Sequence, residues 1–163
     1  MGIQPGSLAS DALELEESAH AGAHERVLEL YAGPFLSGFH LEGVPGFQHW
    51  LDGERDRYRR LAGASALKRV RDLLAQGELL EAEGVSRRAM DLAMANGSVA
   101  RELMEGFAGA GDRVGAIRLY DHWTRRLSRE LDMEPSHEME AWAATLRGTS
   151  DPGPEVQDST ASA

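Results

Sequence analysis

Apolar residues recur at steps of three and four along almost the whole chain, the period of an amphipathic helix. No run of alternating, β-branched residues reads as a strand. Residues 8–20 (LASDALELEESAH) predict a short helix with Ser7 or Ser10 as its cap. Gly22 breaks it, and Val27, Leu28, Leu30 and Tyr31 give a second helix its apolar face. Gly33-Pro34 stops that helix, because proline lacks an amide hydrogen and restricts the residue before it. The segment 34–46 (PFLSGFHLEGVPG) is apolar yet rich in glycine and proline, and predicts an ordered loop with Phe35, Leu36 and Phe39 tucked against helices. Burying each of these stabilises the loop by about 1.5–3 kcal/mol.

A long helix is predicted from Phe47 to about Gln76, with Trp50, Leu51, Tyr58, Val70 and Leu73 on its apolar side. Gly77 ends it, as a residue free to take positive φ does. Three more helices are expected near 79–95, 98–110 and 112–131, where Gly97-Ser98 and Gly111-Asp112 each read as a stop followed by a cap. A last helix starts at Pro135-Ser136 and ends near Arg147. The expected organisation is an acidic segment with a short helix at most over 1–19, a helical domain over 20–147, and a disordered acidic tail over 148–163.

An internal repeat orders these helices. Gly77 and Gly111 lie 34 residues apart, as do Val70 and Met104, Leu73 and Phe107, Ala82 and Ala116, and Val85 and Leu119. That is the tetratricopeptide period: two antiparallel helices, a tight turn, and a small residue where the backbones cross. One such unit cannot bury its own face, so stacked units share a core. The predicted fold is all-α, a tetratricopeptide-like array of antiparallel helix pairs.

Composition narrows the chemistry. The chain has 163 residues and no cysteine, which removes disulfides, thiolate metal sites and a cysteine nucleophile together and makes a cytoplasmic setting the expectation. No window is apolar enough for a membrane span, and the start lacks the features of a signal peptide. The net charge of −10 is uneven: residues 1–25 hold five acids and no base, and residues 148–163 hold three acids and no base. The other 19 acids and all 17 bases lie in 26–147, a net of −2 there. Affinity for nucleic acid needs clustered positive charge, so direct binding of nucleic acid by this chain alone is not expected.

Catalytic signatures break off short. His24-Glu25 and His137-Glu138 could open a zinc-protease H-E-x-x-H, but the fifth positions are Leu28 and Ala141. Gly63-Ala64-Ser65-Ala66 is followed by Leu67 where a nucleophile elbow needs glycine. GAGDRVG over 109–115 has Val114 at a glycine position and no strand before it, so it reads as a repeat turn. His20 and His24 are four apart and could share a metal on one helix face, but Gly22 lies between them and no third ligand is evident. The basic clusters at 55–60, 68–71 and 125–129 sit among acids and read first as i,i+4 pairs on solvated faces. No enzyme activity, metal or cofactor is expected.

From Tyr31-Ala-Gly-Pro-Phe-Leu-Ser-Gly-Phe39 onward the sequence resembles the bacterial transcriptional activator domain, the tetratricopeptide-like module of the antibiotic-regulatory family of bacterial transcription regulators. Trp50 and Glu54-Arg55 follow in order, then Ala110-Gly111-Asp112-Arg113 with Ala116 and Tyr120, and finally Leu131 to Ser136 with its Glu-Pro-Ser. The resemblance covers about residues 20–147. It departs at Gly22-Ala23, where a Gly-Asp turn is usual, and at Leu92 to Gly97, where members often have Leu-Asp-Pro. Gly84, inside a helix, costs about 1 kcal/mol against alanine.

The resemblance implies a module that supports dimer formation and touches other proteins, such as the transcription machinery or a DNA-binding subunit. Family regulators carry a winged-helix domain ahead of it, and the expectation is that this chain lacks one. The residues carried over look architectural: Pro34 and Phe35 fix the loop and Trp50 anchors it to the long helix, with Gly33, Glu54 and Arg55 as further residues of the structural motif. Gly111 and Asp112 make the repeat turn, and Pro135 and Ser136 begin the closing helix. A concave face built from the first helix of each repeat would carry Lys68, Arg71, Arg101, Glu102 and Glu105 as partner-binding candidates. The alternative is a free-standing tetratricopeptide adaptor for a peptide or signalling partner; a metal-dependent hydrolase using His20 and His24 is the remote third.

Overall fold

The structure, a computed structural model, describes residues 5–37, 45–94 and 96–148, with side chains from Asp11 onward except Pro45. Seven α-helices follow one another with no strand among the described residues: α1 (Pro5–His20), α2 (His24–Leu30), α3 (Pro45–Gln76), α4 (Leu79–Leu92), α5 (Gly97–Gly109), α6 (Arg113–Arg126) and α7 (His137–Gly148). A π-helical turn, Leu127–Leu131, continues α6. The array is all-α and tetratricopeptide-like, with α3–α4 and α5–α6 as its two helix pairs.

Three glycines end three helices in the same way. Gly77 and Gly111 take φ of 80° and 85°. Behind them Glu78 N–H donates to Leu73 C=O and Asp112 N–H to Phe107 C=O, both at 2.9 Å. The glycine amides reach Leu74 and Ala108. These are Schellman turns one 34-residue period apart, and each satisfies carbonyls that the helix end leaves orphaned. Gly22, at φ 74°, ends α1 likewise, with Ala23 N–H donating to Ser18 C=O at 2.9 Å.

Capping departs from the expectation at two places. The first helix begins at Pro5, so Ser7 and Ser10 lie inside it rather than ahead of it. The cap of α5 is Asn96, whose side chain accepts from the amides of Ser98 and Val99; Gly97 and Ser98 are already helical. Asp112 caps α6 and accepts from Gly115 N–H at 2.7 Å. Ser136 Oγ accepts from Met139 N–H at 3.4 Å at the start of α7.

The core is divided. Ala66, Val70 and Leu73 of α3 pack with Met90, Met104, Phe107, Leu119 and Trp123, and with Met139 and Ala143 of α7. A smaller cluster of Leu15, Val27, Tyr31, Tyr58 and Ala62 joins α1 and α2 to the first half of α3. Alanines mark the crossings: Ala62, Ala66, Ala82, Ala100 and Ala116 are fully buried. The 32-residue α3, roughly 48 Å long at 1.5 Å per residue, is the beam that carries both clusters.

Candidate interaction surface

The loop after α2 is held from the long helix by an arginine. Arg55 donates from Nε to Phe35 C=O and from Nη2 to Leu36 C=O, each at 3.0 Å. Phe35 is half-buried, its ring 5.1 Å from that of Tyr58, while Gly33 and Pro34 are exposed. Trp50, the expected anchor of this segment, makes its ring contact within α3. It is 50% exposed and pairs with Phe47 at 5.5 Å, while its neighbour Leu51 is fully buried. A step of one residue turns about 100° around a helix, and it is Leu51 that faces inward. Glu54 pairs with Arg57 at 3.2 Å. Phe39 and the tail beyond Gly148 lie outside the described residues.

Two other arginines fasten helix ends in the same manner. Arg59 donates to Leu92 C=O at 3.0 Å, at the end of α4. Arg88 donates to the carbonyls of Leu28 and Tyr31, at the end of α2. A guanidinium suits this work because it is always charged and presents several donors in a rigid fork. The basic clusters are therefore more than solvated i,i+4 pairs. The neighbouring Arg69 also bridges helices, reaching Glu81 at 2.8 Å and Glu25 at 3.6 Å.

The five partner-binding candidates fall on α3 and α5, and four of them are tied into a strip. Arg71 pairs with Glu102, and Arg101 pairs with Glu105 at 2.8 Å and with Glu138 of α7. The hydrogen bonds of Glu105 and then Glu138 raise the Arg101 pKa further above its ordinary value. Lys68 is exposed on α3 close by in sequence. Exposed pairs such as these are screened by water and add little to stability. They align charges across three helices more than they stabilise the fold.

A deeper node joins the two repeats. Glu83 of α4 is 7% exposed and accepts from Arg87 at 2.6 Å and from Arg118 of α6 at 2.6 and 2.9 Å. Asp91 draws Arg126 and, at 3.5 Å, His122 to the far end of the same helix pair. Sequence reasoning missed this node, although Glu83 and Arg118 stand at neighbouring positions of successive repeats. It also missed Leu80 and Val114, which are 34 residues apart at the second position of α4 and α6 and are 87% and 61% exposed.

Among the described residues His20 and His24 do not converge. Gly22 and the turn around it separate His20, whose ring contacts Glu16 C=O at 2.7 Å, from His24. Among the described residues no three His, Asp or Glu side chains are grouped to hold a metal ion. No helix among them is long and apolar enough to cross a membrane.

Comparison with known proteins gives one family. The family model described as bacterial transcriptional activator domain matches residues 7–147, so the match takes in α1 as well as the repeats. No match was found among curated proteins or among solved structures.

Proposed function

The chain belongs to the bacterial transcriptional activator domain family, and from that premise we propose that it is the helical protein-interaction module of a transcription regulator, acting by contact rather than by chemistry. The supporting observation is the strip across α3, α5 and α7, where exposed Arg71, Glu102 and Glu105 and the half-buried Arg101 are paired on the surface that also carries Lys68. Charges already aligned on rigid helices can exchange partners with a docking protein at little ordering cost. The docking protein is the transcription machinery, a DNA-binding subunit or a second copy of the chain, met in the cytoplasm. Reading of bases belongs to a winged-helix unit outside residues 7–147, since the balance of 19 acids and 17 bases over 26–147 offers phosphates no concentrated positive field.

The test is direct. The chain is mixed with RNA polymerase holoenzyme and, separately, with duplex DNA at physiological salt. Binding to polymerase that falls about tenfold (about 1.4 kcal/mol) in Arg71→Glu/Arg101→Glu, with no shift of DNA, is the expected result. Tight specific binding of DNA by the chain alone, or polymerase binding indifferent to the charge reversal, would overturn the proposal.

A further inference from the structure

A groove runs between α2 and the α3–α4 pair as two adjoining hollows of about 400 and 310 Å³. Glu25, Glu29 and Arg69 wall both. Ala23 and Gly22 line the first hollow, and Leu28, Gly84 and Val85 give the second an apolar lining.

The charges in the groove are unequally committed. Its three guanidiniums are all engaged: Arg26 with Glu14 and Glu29, Arg69 with Glu81 and Glu25, and Arg88 with two backbone carbonyls. The carboxylates are not. Asp72 has no ion-pair partner among the described residues, and Glu25 has only Arg69 at 3.6 Å, which sits closer to Glu81. On the same wall the Nδ1 atom of His24 is buried without a hydrogen-bond partner. An incoming anion would have to displace an existing bridge, whereas an incoming cation finds carboxylate oxygens unshared.

We propose that this groove seats a segment of a partner protein carrying an arginine or lysine beside an apolar side chain. The cation lies between Asp72 and Glu25 in the first hollow, and the apolar group rests on Leu28 and Val85 in the second. The proposal rests on reading the chain as an interaction module and adds a second surface to it. Arg69 and Asp72 each stand one residue, and so about 100°, around α3 from Lys68 and Arg71.

Small peptides test it by amide NMR of the full chain in about 0.1 M salt, where the Debye length is about 10 Å. Ala-Arg-Leu-Arg-Ala is the probe, and Ala-Arg-Ser-Arg-Ala and Ala-Glu-Leu-Glu-Ala are its controls. The probe is expected to shift amides of residues 22–29, 72 and 84–85, with the serine control at least about fivefold weaker and the acidic one silent. Gly84→Leu is the decisive variant. A Cβ there meets nothing within 4 Å, so the helix accepts the side chain, which fills the second hollow without altering any charge. It should weaken the probe about tenfold, and Asp72→Asn about threefold or more. Binding unchanged by Gly84→Leu, equal binding of the acidic peptide, or shifts spread over the acids of Asp11 to Glu17 would overturn it; the last is what attraction to a net charge of −10 produces by itself. Neither polymerase nor DNA enters this experiment, so the groove and the module reading can fail separately.

Discussion

Glu83 lies on α4, yet its carboxylate accepts from Arg118 of α6 as well as from Arg87 one turn away. The Arg118 hydrogen bond holds its pKa below the ordinary glutamate range, helped by Arg87 and opposed by burial. A lowered carboxylate pKa means that the unfolded chain takes up protons first as the solution is acidified. The bridge therefore contributes fully above the unfolded value near 4.3 and fades as pH falls through the lower folded value. Glu83→Gln should cost about 1–2 kcal/mol at pH 7, a range kept low because both guanidiniums are nearly half exposed. Urea midpoints at neutral and acid pH check this: the gap between the two proteins should narrow as pH drops. Trp50 offers a second test at the same scale. Being half exposed, Trp50→Ala should cost less than about 1.5 kcal/mol, while Leu51→Ala should cost about 2–5 kcal/mol. The periodicity put both residues on the apolar side of the helix, and only the structure separates the half-exposed one from the buried one.

At the scale of elements, glycines divide by what surrounds them. Gly84 is exposed with open space at its Cβ position, so Gly84→Ala should stabilise α4 by about 0.5–1 kcal/mol, seen as a raised Tm. Gly115 is the opposite case. A Cβ there would stand 2.3 Å from Asp112 Oδ2 and 2.7 Å from Phe107 Cδ1, so Gly115→Ala should lower Tm by dislodging the cap. The turns at Gly22, Gly77 and Gly111 were legible because only glycine takes their backbone cheaply. The cap of α5 was not: Asn96, Gly97 and Ser98 are all competent residues, and only the backbone path selects Asn96. Nor was the π-helical turn. The 112–131 stretch reads as one helix, but the chain widens at Leu127, keeps that side chain buried, and leaves through Asp132 at φ 50°. The five surface candidates were legible only as first-helix positions. The pairing of Arg101 with Glu138 depends on where α7 docks, which no local pattern encodes.

For the whole molecule, the divided core predicts two levels of opening. The α1–α2 cluster is small and is clasped to the rest by Arg88 of α4 at the end of α2 and by Arg57 of α3 on Glu16 of α1. Native-state hydrogen exchange should show amides of α2 opening at lower free energy than those around Met104 and Phe107. The double variant Arg57→Ala/Arg88→Ala should speed exchange in α1 and α2 and leave α5 and α6 nearly unchanged. Uniform acceleration would mean that the molecule opens as one unit.

One feature of the surface has a practical use. Lys68 is the sole side-chain amine among 17 basic residues, and it stands exposed beside the Arg71–Glu102 bridge. With the N-terminal amine blocked beforehand, a succinimidyl photo-crosslinker will find no other amine, so whatever it captures was lying along α3 when the lamp was lit. The native polypeptide is thus a bait whose hook has a known address.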